Sequence, residues 1–167
     1  MDETFERIRS EHRRVLERAA GLEAMLPGGG ARHVGAAETK ALLEALALFQ
    51  DQFVTHVAAE DGALFPALVE ALPETRQTVV PLQAEHAELR DMLARLTATL
   101  AEPARADRDE QIAVQLRDFI DLLRIHLRKE EALVIRVAEQ LLRPREVQAL
   151  AERMSQGPRP ERGGAPA

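Results

Sequence analysis

The sequence predicts an all-α fold, an up-down-up-down four-helix bundle with a short C-terminal helix and a disordered tail. Three observations predict it. Apolar residues recur at helical spacing along most of the 167 residues, and nothing alternates convincingly with period two. Breaks rich in proline and glycine divide that pattern into four long segments. Four of the five histidines fall into a duplicated pattern whose spacing matches those breaks.

The first helix runs from about Asp2, a capping residue, to about Leu26, with Phe5, Ile8, Val15, Leu16 and Leu22 on its inner face. Pro27-Gly28-Gly29-Gly30 ends it. The second begins near Ala37-Glu38 and carries Leu42, Leu46, Phe49, Phe53 and Leu64. Pro66 kinks it or starts a short continuation, and Pro73 closes the segment. The third spans about Glu74 to Leu100, with its ordered start at Pro81 if that proline occupies a first turn. Glu102 to Asp107 reads as a loop, with Asp107 capping a fourth helix that continues to about Leu142. Beyond Pro144 a short amphipathic helix is expected from Val147, Leu150 and Met154, and from Gly157 the composition is that of a disordered tail. The expected division is residues 1–142 as the bundle, 143–156 as the short helix and 157–167 as the tail.

Composition narrows the chemistry. The length suits one domain with its own core. Cysteine is absent, which excludes disulfides, thiolate zinc sites and iron–sulfur clusters and suits a cytoplasmic setting. The charged N-terminus lacks the apolar stretch of a signal peptide, and no apolar run approaches the ~18–20 residues of a membrane span. Net charge is −6 with basic and acidic residues interspersed, so neither a nucleic-acid nor a membrane partner is expected. The absence of tyrosine and tryptophan removes tyrosyl-radical and aromatic electron-transfer chemistry.

The duplicated pattern carries the functional signal. Glu11-His12 is followed by His56-Val-Ala-Ala-Glu60-Asp61, and Glu85-His86 by His126-Leu-Arg-Lys-Glu130-Glu131. Histidine and glutamate at i and i+4 stand about 5–6 Å apart on one helical face, so both can reach one metal or two adjacent ones. In an antiparallel hairpin, residues at one height are equidistant from the turn. The midpoint of His12 and His56 is residue 34, that of Glu60 and His86 is Pro73, and that of His86 and His126 is residue 106, each in a predicted turn. The four histidines therefore share one layer of the bundle. Apolar neighbours one or two turns away place all of them inward: Ile8, Val15 and Leu16 for His12, Phe49 and Phe53 for His56, Leu82 and Leu89 for His86, and Phe119, Leu122 and Leu133 for His126.

A single inward histidine is most simply a hydrogen-bonded core residue. Four at one level, with two inward glutamates, demand more, because each buried unpaired carboxylate costs several kcal/mol. No arginine occupies a matching position beside Glu60 or Glu130, so a metal is the expected counter-charge and a structural polar network the alternative. The six donors point to a carboxylate-bridged di-iron centre, although the same set could hold manganese or zinc. Glu11, Asp61, Glu85 and Glu131, each adjacent to a candidate ligand, are expected as acceptors behind the imidazoles or as solvated residues. His33, in the glycine-rich loop, is expected at the surface, with metal loading or gating as its lesser reading.

His12, His56-x-x-x-Glu60, His86 and His126-x-x-x-Glu130, with Leu64-Phe65-Pro66 after the first pair, resemble the hemerythrin-like HHE cation-binding proteins over about residues 3–142. The competing ferritin-like class uses E-x-x-H, which is missing: Arg9, Phe53, Gln83 and Leu123 stand three residues before the four histidines. The resemblance implies two iron ions bridged by Glu60, Glu130 and an oxo or hydroxo group, with His12 and His56 on one and His86 and His126 on the other. Oxygen-carrying hemerythrins have HxxxH in the third helix, whereas here Leu82 precedes and Arg90 follows His86 by four residues. They also end the last motif with a longer spacing to Asp, where this chain repeats HxxxE. The iron bound by His86 is thus expected to lack one protein ligand.

Those departures point away from reversible oxygen carriage and toward members that the resemblance links to stress response, iron-centre repair and sensing. The expected ligand is O2, peroxide or NO at the open iron. An iron-sensing or iron-donor module, whose metal occupancy is its output, is the second reading, and a metal-free helical interaction protein the third. Turnover is left open by the sequence, and no protein-partner motif is recognisable.

Overall fold

The computed structural model describes residues 3–26 and 34–155, and within them every element is helical. Helix α1 spans Glu3–Ala24 and α2 spans Ala36–Ala59. A π-helical turn, Glu60–Leu64, joins α2 to α3 at Phe65–Ala71. A 3₁₀ turn, Pro73–Thr75, leads into α4 at Arg76–Ala101. Helix α5 covers Ala106–Glu130, a second π-helical turn Glu131–Ile135 follows, and α6 continues through Arg136–Leu141. Helix α7, Pro144–Ser155, packs against the first π turn and α3. Helix α1 packs on α2 and α5, α2 on α4, and α4 on α5, giving a helical bundle. The expected Asp2 cap, the glycine-rich turn from Pro27, His33 and the tail from Gly157 lie outside the described residues.

The apolar pattern buries itself in two clusters. One gathers Leu46, Phe49, Phe53, Leu93, Leu116 and Phe119 among others, with Phe49 and Phe53 both edge-on to Phe119. The other holds Phe5, Ile8, Leu64, Phe65, Leu82 and Ile135, closed by Val147, Leu150 and Met154 of α7. His12 lies between the Ile8 and Val15 positions of α1, and His86 between Leu82 and Leu89 of α4, so the histidines occupy the level between the clusters.

Three expectations need correction. Pro81 lies inside α4, which starts at Arg76 instead. Lacking an N–H, Pro81 forgoes only the bond to the Gln77 carbonyl, near the end where the first four N–H groups have no helical partner anyway. Asp107 is in the first turn of α5, and the capping position is Arg105, whose extended backbone precedes the helix. Leu133 is 49% exposed, whereas Val134 and Ile135 are fully buried. The second π turn is the cause: Arg136 N–H bonds the Glu131 carbonyl five residues back. One extra residue in that turn rotates the inner face past Leu133.

Candidate metal centre

All six candidate residues come together and are buried: His12 and His56 near 5% exposed, and Glu60, His86, His126 and Glu130 at 1% or less. They come from all four long helices and the first π turn. His12 is on α1, His56 ends α2, and Glu60 opens the first π turn. His86 is on α4, and His126 and Glu130 end α5. Within each HxxxE pair, the imidazole Nε2 lies 3.3 Å from the carboxylate, as the i, i+4 spacing requires.

The two carboxylates stand between the histidine pairs. Glu60 Oε1 is 3.2 Å from His12 Nε2 and 3.3 Å from His56 Nε2, while its Oε2 is 3.4 Å from His86 Nε2. Glu130 Oε1 is 3.4 Å from His86 Nε2 and 3.3 Å from His126 Nε2, and its Oε2 is 3.5 Å from His12 Nε2. The rings pair as well, with centroids 4.9 Å apart for His12 and His56 and 4.6 Å for His86 and His126. Donor atoms within 4.8 Å of one another form two groups: His12, His56, Glu60 and Glu130, and then His86, His126 and Glu130.

The opposite ring nitrogens face outward to acids. His86 Nδ1 is 2.9 Å from Asp61, His126 Nδ1 is 2.9 Å from Glu85, and His56 Nδ1 is 3.5 Å from Glu11. An ionised carboxylate only accepts, so each of these Nδ1 atoms carries a proton, which leaves Nε2 as the inward position for a lone pair or a second proton. Three of the four acids beside the motifs therefore each serve a histidine of the next long helix. Glu131 does not: it accepts from Arg9 Nε at 2.8 Å, and Arg9 also pairs with Glu6 and Glu139. Lys129 binds the second oxygen of Glu85. Phe65, from the Leu-Phe-Pro stretch, stacks on His86 at 5.6 Å and 9°.

The acids and imidazoles of the cluster shift one another strongly. Burial pushes the Glu60 carboxyl up, yet the charge of His56 and the imidazoles of His12 and His86 outweigh it and hold it well below the usual carboxylate range. Burial pushes His86 down, but Asp61, Glu130 and Glu60 together push it up to about 11. His56 and His126 are likewise raised, against burial, by Glu60 and Glu11 for the first and by Glu130 and Glu85 for the second. The carboxylates thus draw protons onto imidazoles in place of a cation. His56, His86 and His126 Nε2, Glu60 Oε2 and both Glu130 oxygens are nevertheless buried without a hydrogen-bond partner among the described residues. They are close but not aligned, and leaving such atoms unpaired is costly. Nitrogen and carboxylate donors that converge in this way suit a metal ion.

Sequence reasoning did not find Arg108, only 3% exposed. Its guanidinium donates to the Glu102 carbonyl at 2.8 Å and to Thr39 Oγ1 at 3.1 Å, tying α5 to α2 far from the histidines. It has no apolar-face signature, because a lone arginine in a helical first turn reads as solvated. Nor did the sequence reveal the Arg9–Glu131 pair, which joins residues 122 positions apart.

A helical protein with a buried histidine and glutamate cluster able to hold metal is the class that fold and site define. Residues 3–138 match the hemerythrin HHE cation binding domain, and the chain belongs to that family. No curated protein and no solved structure matches the chain. None of the helices among the described residues is long and apolar enough to cross a membrane.

Proposed function

We propose that the chain is a di-iron protein of hemerythrin type that reacts with or senses a small oxidant or diatomic. His12 and His56 would hold one ion, His86 and His126 the other, and Glu60 and Glu130 would serve both. The observation that carries this reading is the set of buried atoms, Nε2 of His56, His86 and His126 with Glu60 Oε2 and both Glu130 oxygens, that have no hydrogen-bond partner among the described residues. The up-down-up-down arrangement is part of the proposal. It is supported by the order in which α1, α2, α4 and α5 visit the two apolar clusters, alternating from helix to helix.

Two ferrous ions held there would supply electrons and open coordination to O2, peroxide or NO. The chain's own residues do the rest. Asp61, Glu85 and Glu11 fix the imidazole orientation through Nδ1. The two apolar clusters exclude water from above and below the layer. Leu82, buried one turn before His86, offers no donor atom. With Glu60 and Glu130 serving both ions, each would have two imidazoles and two carboxylates, and no third imidazole stands on the His86 side.

Iron analysis of anaerobically purified protein, with ultraviolet–visible spectra before and after oxidation, tests the proposal. About two irons per chain and a near-ultraviolet charge-transfer band are expected, against a 280 nm background made low by the absence of Tyr and Trp. Less than about one iron per chain and no band would overturn it. His56→Ala and Glu60→Ala are expected to abolish binding. A second reading, in which metal occupancy is itself the output, is favoured by the packing of α7 on the π turn that begins at Glu60. It expects a large fall in Tm on iron removal with negligible consumption of peroxide or NO, whereas the reactive reading expects consumption.

A further inference from the structure

One cavity of about 350 Å³ opens between α1 and α2 and reaches His56 at the edge of the buried centre. His56 and its acid partner Glu11 line it, so the cavity ends on the back of a candidate metal ligand. Asp51 and Gln52, one turn earlier on α2, line its wall, and Met154 of α7 lies at its edge. Gln52 Oε1 is buried and has no hydrogen-bond partner among the described residues. Arg7 and Arg14 also line the cavity; Arg7 faces Glu11 at 3.6 Å.

We propose that this groove is the loading port through which a hydrated divalent cation reaches His56 and His12, and that Met154 of α7 gates it. The inference rests on the metal-binding reading above. Several observations carry it. The six donors are deeply buried: none is more than 6% exposed, and apolar clusters lie on both sides of their layer. The groove, in contrast, brings solvent-sized space to His56. Its wall offers oxygen acceptors to the water of an aquo cation in the carboxylates of Glu11 and Asp51, and the amide side chain of Gln52 lines the same wall. Met154 is an unbranched thioether with three rotatable side-chain bonds, suited to swinging aside. It is 7% exposed, near the end of a twelve-residue helix that Val147 and Leu150 anchor in the second cluster and that the exposed Arg153–Glu70 pair ties to α3 at 3.3 Å. The gate is therefore a rotamer change of Met154 itself, with α7 in place.

A port differs from a ligand in its kinetic signature: it changes the rates of entry and exit together and leaves the equilibrium alone. The full-length protein, stripped of metal, is mixed with Co2+ or anaerobic Fe2+ in a stopped-flow instrument. Release is then followed with an excess of chelator. Gln52→Leu, of similar size and without an acceptor, is expected to slow uptake and release alike by about tenfold, with Kd unchanged within about twofold. Met154→Ala is expected to speed both, while Met154→Leu, which keeps the bulk, stays near the parent protein. Circular dichroism of each variant separates gating from lost folding. Unchanged rates in both Gln52→Leu and Met154→Ala, in folded protein that still binds metal, would overturn the port. So would a change in Kd without a matching change in both rates. Failure of the parent protein to bind either metal would instead sink the metal-binding reading itself.

Discussion

At the scale of single residues, the acids behind the imidazoles decide how well the centre is organised. Asp61 accepts from His86 Nδ1 at 2.9 Å and is joined by Arg90 at 3.8 Å, so it fixes both ring orientation and tautomer. Asp61→Ala is expected to weaken metal binding about 10–100-fold, measured by competition with a chelator, while the helical circular dichroism spectrum persists. The imidazoles also make the metal-free protein sensitive to pH. His86 is raised from 6.5 to about 11, so its proton stabilises the folded state fully below pH 6.5. That contribution is lost as pH climbs toward about 11. The Tm of the metal-free protein is therefore expected to fall as pH rises above 6.5, read below the range where lysine titrates. Metal uptake at neutral pH should release protons into a weakly buffered indicator solution. A flat or rising Tm over that window would contradict the counter-charge role assigned to His86.

At the scale of elements, the π turns mark where the sequence stops being a sufficient guide. Up to His56 and His126, helical spacing located the buried residues, and the turn midpoints placed four histidines in one layer. Residue 34 precedes α2, Pro73 opens the 3₁₀ turn, and residue 106 opens α5, so all three midpoints fall at or beside breaks. Beyond Glu60 and Glu130 a fixed period fails, because each helix takes one residue more than an α turn needs. Leu133 is misplaced for that reason and Leu64 is not. Nor does proline explain the bulge: the first copy has Pro66 just after its π turn and the second has Val137 and Arg136 near the same place. Gly62 sits in the first π turn and Gly21 in α1, and a Cβ at either would meet nothing within 4 Å. Gly21→Ala and Gly62→Ala are each expected to stabilise the protein by ~0.5–1 kcal/mol, through lost freedom of the unfolded chain. Thermal melts of the metal-free variants check this. A loss of stability at Gly62 alone would mean that the π turn depends on glycine.

At the scale of the whole molecule, a polar layer interrupts a continuous apolar core, and the core's stability depends on what neutralises that layer. Glu60 and Glu130, both 1% exposed, form ion pairs only with imidazoles among the described residues. Protonated rings provide the charge in metal-free protein, but they leave buried oxygen and nitrogen atoms unpaired. Metal ions would satisfy both needs at once, binding the folded chain and not the unfolded one. At a free metal concentration of ~100 times Kd, that linkage adds ~2.7 kcal/mol of stability. The double variant Glu60→Gln with Glu130→Gln separates charge from packing, because the amide keeps the volume and removes the anion. It is expected to lose the metal-dependent rise in Tm altogether. Its imidazoles, no longer facing buried carboxylates, should lose part of the pH dependence seen in the parent, while the share that Asp61 gives His86 remains. If instead the variant melts far below the metal-free parent at every pH, the carboxylates hold the bundle together as ion pairs with histidine. Metal would then be an addition to that network, not the reason for it.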